Sequence, residues 1–301
     1  MIEVEVEHPA VRPGQPTATS AQAAELAARY GLTRVDKNPS LPQYVKRLWS
    51  RRAFVFELAR ARAYRRHQDN YLGQLWAALD PLLLAGSYYL IFGLLLQTSR
   101  GVDNFMGFLT VGIFIFSFIA ATATSGARAI TGNQSLVRGI RFPRAALPVS
   151  VALAEILALL PALAVLIVVL LMTGERLTWK IALLPASVGL MFVFCIGISL
   201  LAARAVASWR DAANVIPVGV RLMRYASGVM FSIAAYAGHG LIGSVLQFQP
   251  VSVYIELVRT CVLAESTMTP TLWGFAAGWA VLFVGAGIVL FWRAEQRYGG
   301  D

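Results

Sequence analysis

The chain has 301 residues, 57% of them hydrophobic and only 14% charged, with a formal net charge of +10. A soluble domain carries about 45–50% apolar and about 25% charged residues, so the composition excludes an ordinary soluble domain and points to the membrane. The positive charge is then the Lys/Arg excess of cytoplasmic segments, and no zinc-finger or RNA-binding signature argues for a nucleic-acid partner.

Residues 1–45 read as a cytoplasmic tail, broken by Pro13, Pro16 and Pro39. Within it "TATSAQAAELAARYGL" predicts a short helix ending at Gly31. The opening "MIEVEVEHPA" is acidic and lacks a basic region followed by an apolar core, so insertion is expected to rely on internal segments. Residues 46–75 are expected to hold an amphipathic helix lying in the membrane interface. Over 46–66 eight Lys and Arg residues face a single acid, Glu57. At 100° per residue Arg51, Arg52, Arg62 and Arg66 share one face, with Ala53, Phe54, Leu58, Ala61 and Tyr64 opposite.

Residues 76–301 predict an all-α integral membrane domain of six spans, at about 76–97, 105–124, 146–173, 181–205, 213–236 and 271–292, because a span needs about 20 apolar residues. Between the last two lies an apolar stretch cut by glycines and Pro250, each piece too short to cross, which fits a re-entrant helix pair shielded by protein. With the N-terminus inside, the interior side collects the 46–66 cluster, Arg128, Arg138, Arg141, Arg144, Arg204, Arg210, Arg293 and Arg297. The exterior keeps Arg100, Arg176, Lys180 and Arg259. That asymmetry predicts both termini in the cytoplasm and a multi-pass protein of the inner (plasma) membrane.

Charges inside the spans are few: Asp80 opens the first, Glu155 lies in the third, and Arg221 and Arg224 lie three apart on one face of the fifth. Placing such a group in the membrane costs about 2.5–3.5 kcal/mol on insertion scales, so these side chains are expected to face protein or water. Two readings stay open: a lining that meets an anionic substrate, or an internal ion pair of Glu155 with Arg221 or Arg224. Aromatics recur at span ends as belt or packing residues. Because sugar rings stack on aromatic faces, Trp76, Tyr88 and Tyr89 join Glu155, Arg221 and Arg224 as channel-lining candidates.

The segment "NQSLVRGIRFPRAALP" (Asn133 to Pro148) predicts a short amphipathic piece that stops at Phe142-Pro143, since a residue before proline is biased away from helix. Its apolar residues beside arginines suggest a partner's docking site; a connector packed on the membrane surface is the alternative. Catalytic signatures are missing. There is no G-x-x-x-x-G-K-[ST] loop to bind ATP and no H-E-x-x-H. The aspartates form no D-x-D, and the histidines at 8, 67 and 239 are scattered. No metal site and no catalytic residue is expected. Cys195 and Cys261 form no paired motif and are expected to be packed thiols. A membrane enzyme acting on lipid-linked sugars would need an acidic or His site, and a secondary transporter would show two related halves; these remain the alternatives.

Four segments carry a resemblance. "RHQDNYLGQLWAALDPLL" is similar, through Arg66, Leu72, Gly73, Trp76, Pro81 and Leu82, to the start of the first span in type-2 ABC exporter permeases that move polysaccharides. His67 stands where tyrosine is usual and Arg62 where an aspartate is expected. "NQSLVRGIRFPRAALP" matches through Asn133, Leu136, Phe142, Pro143, Arg144, Leu147 and Pro148, "WRDAANVI" through Arg210 and Asp211, and "FWRAEQRYGGD" resembles the family's ending. A proline common in the fifth span is missing, with Gly228 in its place. The family includes exporters of O-antigen, teichoic acid and actinobacterial cell-wall galactan, and the Ala/Arg-rich composition and long acidic N-terminus suggest the galactan branch.

The resemblance implies a homodimer joined by two separate ATPase subunits that bind the ATP and Mg, with no cofactor in this chain. It implies outward movement of a polyprenyl-diphosphate-linked glycan. Asn133, Leu136, Val137, Arg138, Arg141, Phe142, Pro143 and Arg144 would couple to the ATPase, with Arg210 and Asp211 as a second contact, and 237–265 would be an external re-entrant gate. Arg51, Arg52, Arg62 and Arg66 would then gather the anionic headgroup where the lipid approaches the first span.

Overall fold

The computed structural model describes residues 29, 40–65, 75–96, 102–139, 142–233, 235 and 240–295. All but Arg29 belong to one unit, Ser40–Asp301. Among the described residues every regular element is helical. In chain order these are Leu41–Ser50 (α1), Arg52–Arg65 (α2), Trp76–Tyr88 (α3), Phe105–Ala127 (α4), Gln134–Gly139 (α5), Ala146–Met172 (α6), Leu184–Ser208 (α7), Ala212–Ala226 (α8), Leu241–Phe248 (α9), Pro250–Val262 (α10) and Pro270–Glu295 (α11).

The expected single interface helix is two. α1 begins where the Ser40 N–H donates to Gln43 Oε1 at 3.3 Å, with Pro42 in the first turn, where no amide hydrogen is needed. The expected boundary at 45/46 therefore falls inside a helix. α1 stops at Arg51, whose N–H closes a tight turn on the Leu48 carbonyl at 3.1 Å. Tyr44 is buried and Leu48 packs beside it, against Ala129, Leu147, Leu200 and Phe291 at one end of the bundle. α2 buries Val55 and Ala59 and lies along α6.

Among the described residues five helices are long and apolar enough to cross a bilayer: Trp76–Leu95, Phe105–Ala127, Ala146–Met172, Trp179–Ser208 and Pro270–Ala294. The first combines α3 with a π-helical extension, Tyr89–Leu95, in which the Leu96 N–H still reaches the Ile91 carbonyl at 2.9 Å. Such π segments are rare and gather at functional sites. α4 is apolar on every side, the pattern of a central helix. It buries Phe108, Phe114, Phe116 and Phe118 and contacts α3, α6, α7, α8 and α10. Its first turn is capped by Asn104, whose Oδ1 accepts from the Gly107 N–H at 2.9 Å. α7 and α11 pack closely because Gly197 has no side chain; a Cβ there would run into the Phe283–Val284 backbone.

The fifth expected span differs. α8 has 15 residues, a rise of about 22 Å against a hydrocarbon core of about 30 Å. It ends at Ser227, and Gly228 then takes φ +67°, a left-handed conformation that costs glycine little. Val229 and Met230 continue as a buried, non-helical turn. The expected helix pair is present: α9 and α10 meet at 71°, the bend of a broken span or of a re-entrant loop. Gln249, just before Pro250, is extended at ψ 150°, as a residue preceding proline prefers. Counting that bent pair as one, the candidate spans number up to six among the described residues.

Candidate functional site

A cavity of about 310 Å³ opens between α3, α4, α6 and α8. Its polar wall consists of Asp80 from α3, Ser117 from α4, Glu155 from α6 and Arg224 from α8, and Phe114 and Phe118 line it with aromatic surface. Glu155 is buried, with 8% of its surface exposed, and accepts a hydrogen bond from Ser125 Oγ at 3.3 Å. Arg224 Nη1 donates to Tyr88 Oη at 3.4 Å, and its guanidinium lies 5.2 Å from the Phe116 ring centre. Its Nε is buried without a hydrogen-bond partner among the described residues. Charged groups inside a membrane bundle face protein or water, and this cavity is where Asp80, Glu155 and Arg224, three of the four charges singled out in the sequence, converge.

The fourth does not join them. Arg221 shares α8 with Arg224 but is exposed, so the pair makes no continuous basic strip on the cavity wall. Of the aromatic candidates, Tyr88 reaches the Arg224 guanidinium. Tyr89 is half-buried, its ring 6.5 Å from that of Phe105, and Trp76 is half-buried at the start of α3. A second cavity of about 170 Å³ lies under α2, with Arg60 and Tyr64 on its wall, and shares Ala77 and Ala158 with the first.

The arginines expected to share one face of the interface segment are placed as follows. Arg51 sits at the break between α1 and α2, and Arg52 is exposed with its guanidinium 5.9 Å from the Trp49 ring centre. Arg62 is half-buried on the side defined by Val55 and Ala59, the side that meets protein. Burial, reinforced by neighbouring Arg65, pulls its pKa below the usual arginine value. Meanwhile Ala53, Ala61 and Tyr64, assigned to the apolar face, are exposed. The break at Arg51 resets the angular count, and interleaved Ala and Arg leave the wheel without a decisive stripe. Arg66 lies outside the described residues.

The connector between α4 and α6 is also more packed than its sequence suggested. Leu136, Val137 and Phe142 are half-buried and join the cluster around Tyr44 and Leu58, with the Phe142 ring 5.2 Å from that of Phe54. Asn133 Nδ2 donates to the Ala129 carbonyl at 2.7 Å and ties the connector to the end of α4. Pro143 and Arg144 are half-buried, whereas Gln134, Ser135 and Gly139 are exposed. Arg141 and the side chain of Arg138 lie outside the described residues. Arg210 and Asp211 are exposed on the turn before α8, next to Trp209, which is 56% exposed.

Arg259 was read only as a charge of the outer side, and its sequence neighbourhood signals more: it stands three residues after Glu256 in an apolar helix, on the same face. The structure buries it to 2% exposure. Nη1 donates to the Gly228 carbonyl at 2.9 Å, and Nη2 donates to the carbonyls of Phe108 and Val229, both at 3.1 Å. The guanidinium lies 3.3 Å from the Phe108 ring centre, and Glu256 pairs with it at 3.5 Å. Gln249 adds a donor to the Ala226 carbonyl at 2.6 Å. α10 thus satisfies the carbonyls left open where α8 ends, groups that need partners in any buried helix terminus.

No group of three or more His, Cys, Asp or Glu side chains among the described residues could hold a metal ion. The family profile described as ABC-2 type transporter matches residues 54–263, a stretch that holds both cavities, the connector between α4 and α6, and Arg259. An O-antigen export system permease protein of Klebsiella pneumoniae is 28% identical over 169 residues, 56% of this chain and 64% of that protein. A protein of the same description from Myxococcus xanthus is 25% identical over 190 residues, 63% of this chain and 72% of its own length. The alignment thus spans less than two thirds of the Klebsiella protein. With its apolar helices and a profile match over most of its length, the chain belongs to the ABC-2 type transporter membrane family and is a multi-pass membrane protein.

Proposed function

We propose that this ABC-2 family member is the transmembrane subunit of an ATP-driven exporter that carries a polysaccharide, linked to a lipid diphosphate, out of the cytoplasm. In this reading the chain works as a homodimer in the inner membrane, with both termini cytoplasmic. Two separate ATPase subunits bind ATP and Mg and drive it. The observation that carries the reading is the family match over residues 54–263, together with its similarity to O-antigen export system permease proteins. A mixed-charge cavity inside the bundle agrees with it, because a channel for a polar polymer needs polar groups that a merely structural bundle avoids.

The exposed part of the cytoplasmic connector, from Gln134 to Gly139, and the Arg210–Asp211 turn are the surfaces assigned to the ATPase. Leu136, Val137 and Phe142 pack in the cluster with Tyr44 and Leu58 and, being only half-buried, also keep surface for that partner. Arg51 and Arg52, exposed at the interface break, remain the residues assigned to attracting anionic lipid, each contributing about 1 kcal/mol near a charged surface. The test is depletion of the chain in cells. Lipid-linked glycan should accumulate on the cytoplasmic side while its synthesis continues. Unchanged surface glycan after depletion would overturn the assignment.

A further inference from the structure

Position, charge and size together select a ligand for the cavity under α2. Ala77 on its wall is the second residue of the span Trp76–Leu95, whose 20 residues match the hydrocarbon core in length. The cavity therefore opens level with the edge of that core, where lipid phosphates lie. Arg60 and Tyr64 reach it from α2, four residues apart on one helix face, and Ala63 leaves room between them. Both Arg60 and Tyr64 are exposed, and neither is hydrogen-bonded or ion-paired to another described residue. No acid stands among the described residues of the wall. Across residues 46–75 eight Lys and Arg outnumber two acids, Glu57 and Asp69.

We infer that this cavity holds the phosphate of one anionic bilayer phospholipid, a phosphatidylglycerol, as a bound constituent of the protein and not as its cargo. The inference needs only residence in a membrane and does not rest on the export reading. A phosphodiester carries one negative charge, which one guanidinium pairs through two parallel hydrogen bonds. Tyr64 Oη adds a further donor. A zwitterionic headgroup would bring an ammonium among Arg60, Arg62 and Arg65, where like charges repel. A diphosphate would bring more charge than the single guanidinium on the wall can pair. The volume of about 170 Å³ lies below the range of about 300–1,000 Å³ for sites that enclose a whole small ligand. The rest of the molecule therefore lies outside, and α6 offers it a path. Pro161 on the cavity wall is followed by Ala164, Val168 and Leu171, all exposed, and spacings of three and four put them on one apolar face. That track starts at the cavity and runs along the span, which suits an acyl chain and not a soluble phosphate. A lipid seated there joins α2 to α3 and α6, in addition to the contact made by Val55 and Ala59.

The experiment is native mass spectrometry of the full chain, delipidated in detergent and titrated separately with dioleoyl phosphatidylglycerol, phosphatidylcholine and phosphatidylethanolamine. The first phosphatidylglycerol should bind about tenfold more tightly than either zwitterionic lipid, the worth of one hydrogen bond to a charged group. Arg60→Gln should abolish that preference, and Arg60→Lys should keep part of it, because an ammonium pairs the phosphate without the fork. Ala63→Leu fills the recess without changing charge and should weaken the first phosphatidylglycerol by a similar factor. Arg65→Gln removes an exposed charge of the same helix that is not on the wall, and should leave binding within a few fold. Equal losses in Arg65→Gln and Arg60→Gln would reduce the site to diffuse attraction by a basic segment and overturn the inference. So would unchanged binding in Ala63→Leu, or equal affinity for the three lipids. Displacement of phosphatidylglycerol by an equal concentration of farnesyl diphosphate would also overturn it, by making the cavity a site for a diphosphate lipid. Each of these leaves the export reading standing, because that reading is judged by glycan accumulation on depletion.

Discussion

Arg259→Met removes a buried cation while keeping a side chain of similar length. Three carbonyls, of Gly228, Val229 and Phe108, lose their donor. Deleting one member of a buried charged arrangement costs about 3–5 kcal/mol. The low end applies here for two reasons. The acceptors are neutral, and the ion-pair partner Glu256 keeps 45% of its side-chain surface exposed, so no charge is stranded. A loss of about 3 kcal/mol is roughly two decades in the population of locally opened molecules. The opening should be confined to the end of α8, the Gly228 turn and α10, because these are what the guanidinium joins. Hydrogen exchange on the purified chain in nanodiscs reads this directly: amides over 226–231 and 250–262 should exchange roughly a hundredfold faster, while those of α7 stay protected. Arg259→Lys should recover part of the protection, because an ammonium donates but lacks the fork that spans separate carbonyls. Glu256→Gln should change little, as half-exposed pairs contribute about 0–1 kcal/mol. Wild-type protection at 226–231 in Arg259→Met would refute the assignment of Arg259 as the clamp between α8 and α10.

Gly197→Val should lower thermal stability in detergent by more than the usual overpacking cost of about 1–3 kcal/mol, because the obstacle is the α11 backbone; a Tm equal to wild type would contradict the close α7–α11 contact. Phe142→Ala should weaken the connector's hold on Phe54, so a protease cutting near Gln134–Gly139 should act faster on the variant, and unchanged cleavage would argue against that packing. Cys195 and Cys261 are both buried, so a maleimide should label neither until the protein is denatured. In a background with both replaced, a cysteine at position 176 should label from outside and one at 135 only after permeabilisation; the reverse pattern would invert the topology. Replacing Arg51 and Arg52 with Gln should slow export at low substrate concentration and less at saturation, with the difference shrinking as salt screens the surface.

Hydropathy made the long helices legible, because α4, α6, α7 and α11 are continuous apolar runs whose composition tolerates no other state in a bilayer. The fifth span was overread for the same reason. Residues 213–236 are mostly apolar despite Arg221 and Arg224, and hydropathy does not register that Gly228 turns left-handed after Ala226. The proline-marked bend at Pro250 was readable, since proline acts on its neighbour through local sterics. Face assignment on α2 was less legible where alanine and arginine alternate, since small residues suit a protein contact as well as a solvent face. The cavity was half readable: Glu155 and Arg224 stood out as charges in apolar runs, whereas Asp80 looked like a span boundary and Ser117 like any helix serine. Arg259 was visible only as a positive charge, because its carbonyl partners come from α4 and the turn after α8, distant in sequence.

The central claim, ATP-driven export through this chain, is tested most directly by proteoliposomes holding the chain with its ATPase subunits and lipid-linked glycan extracted from depleted cells. With ATP added on the ATPase side, glycan should become accessible to an added glycosidase on the opposite face, and neither omission of ATP nor omission of this chain should allow it. Glycan that crosses equally well without ATP, or without this chain, would contradict the account.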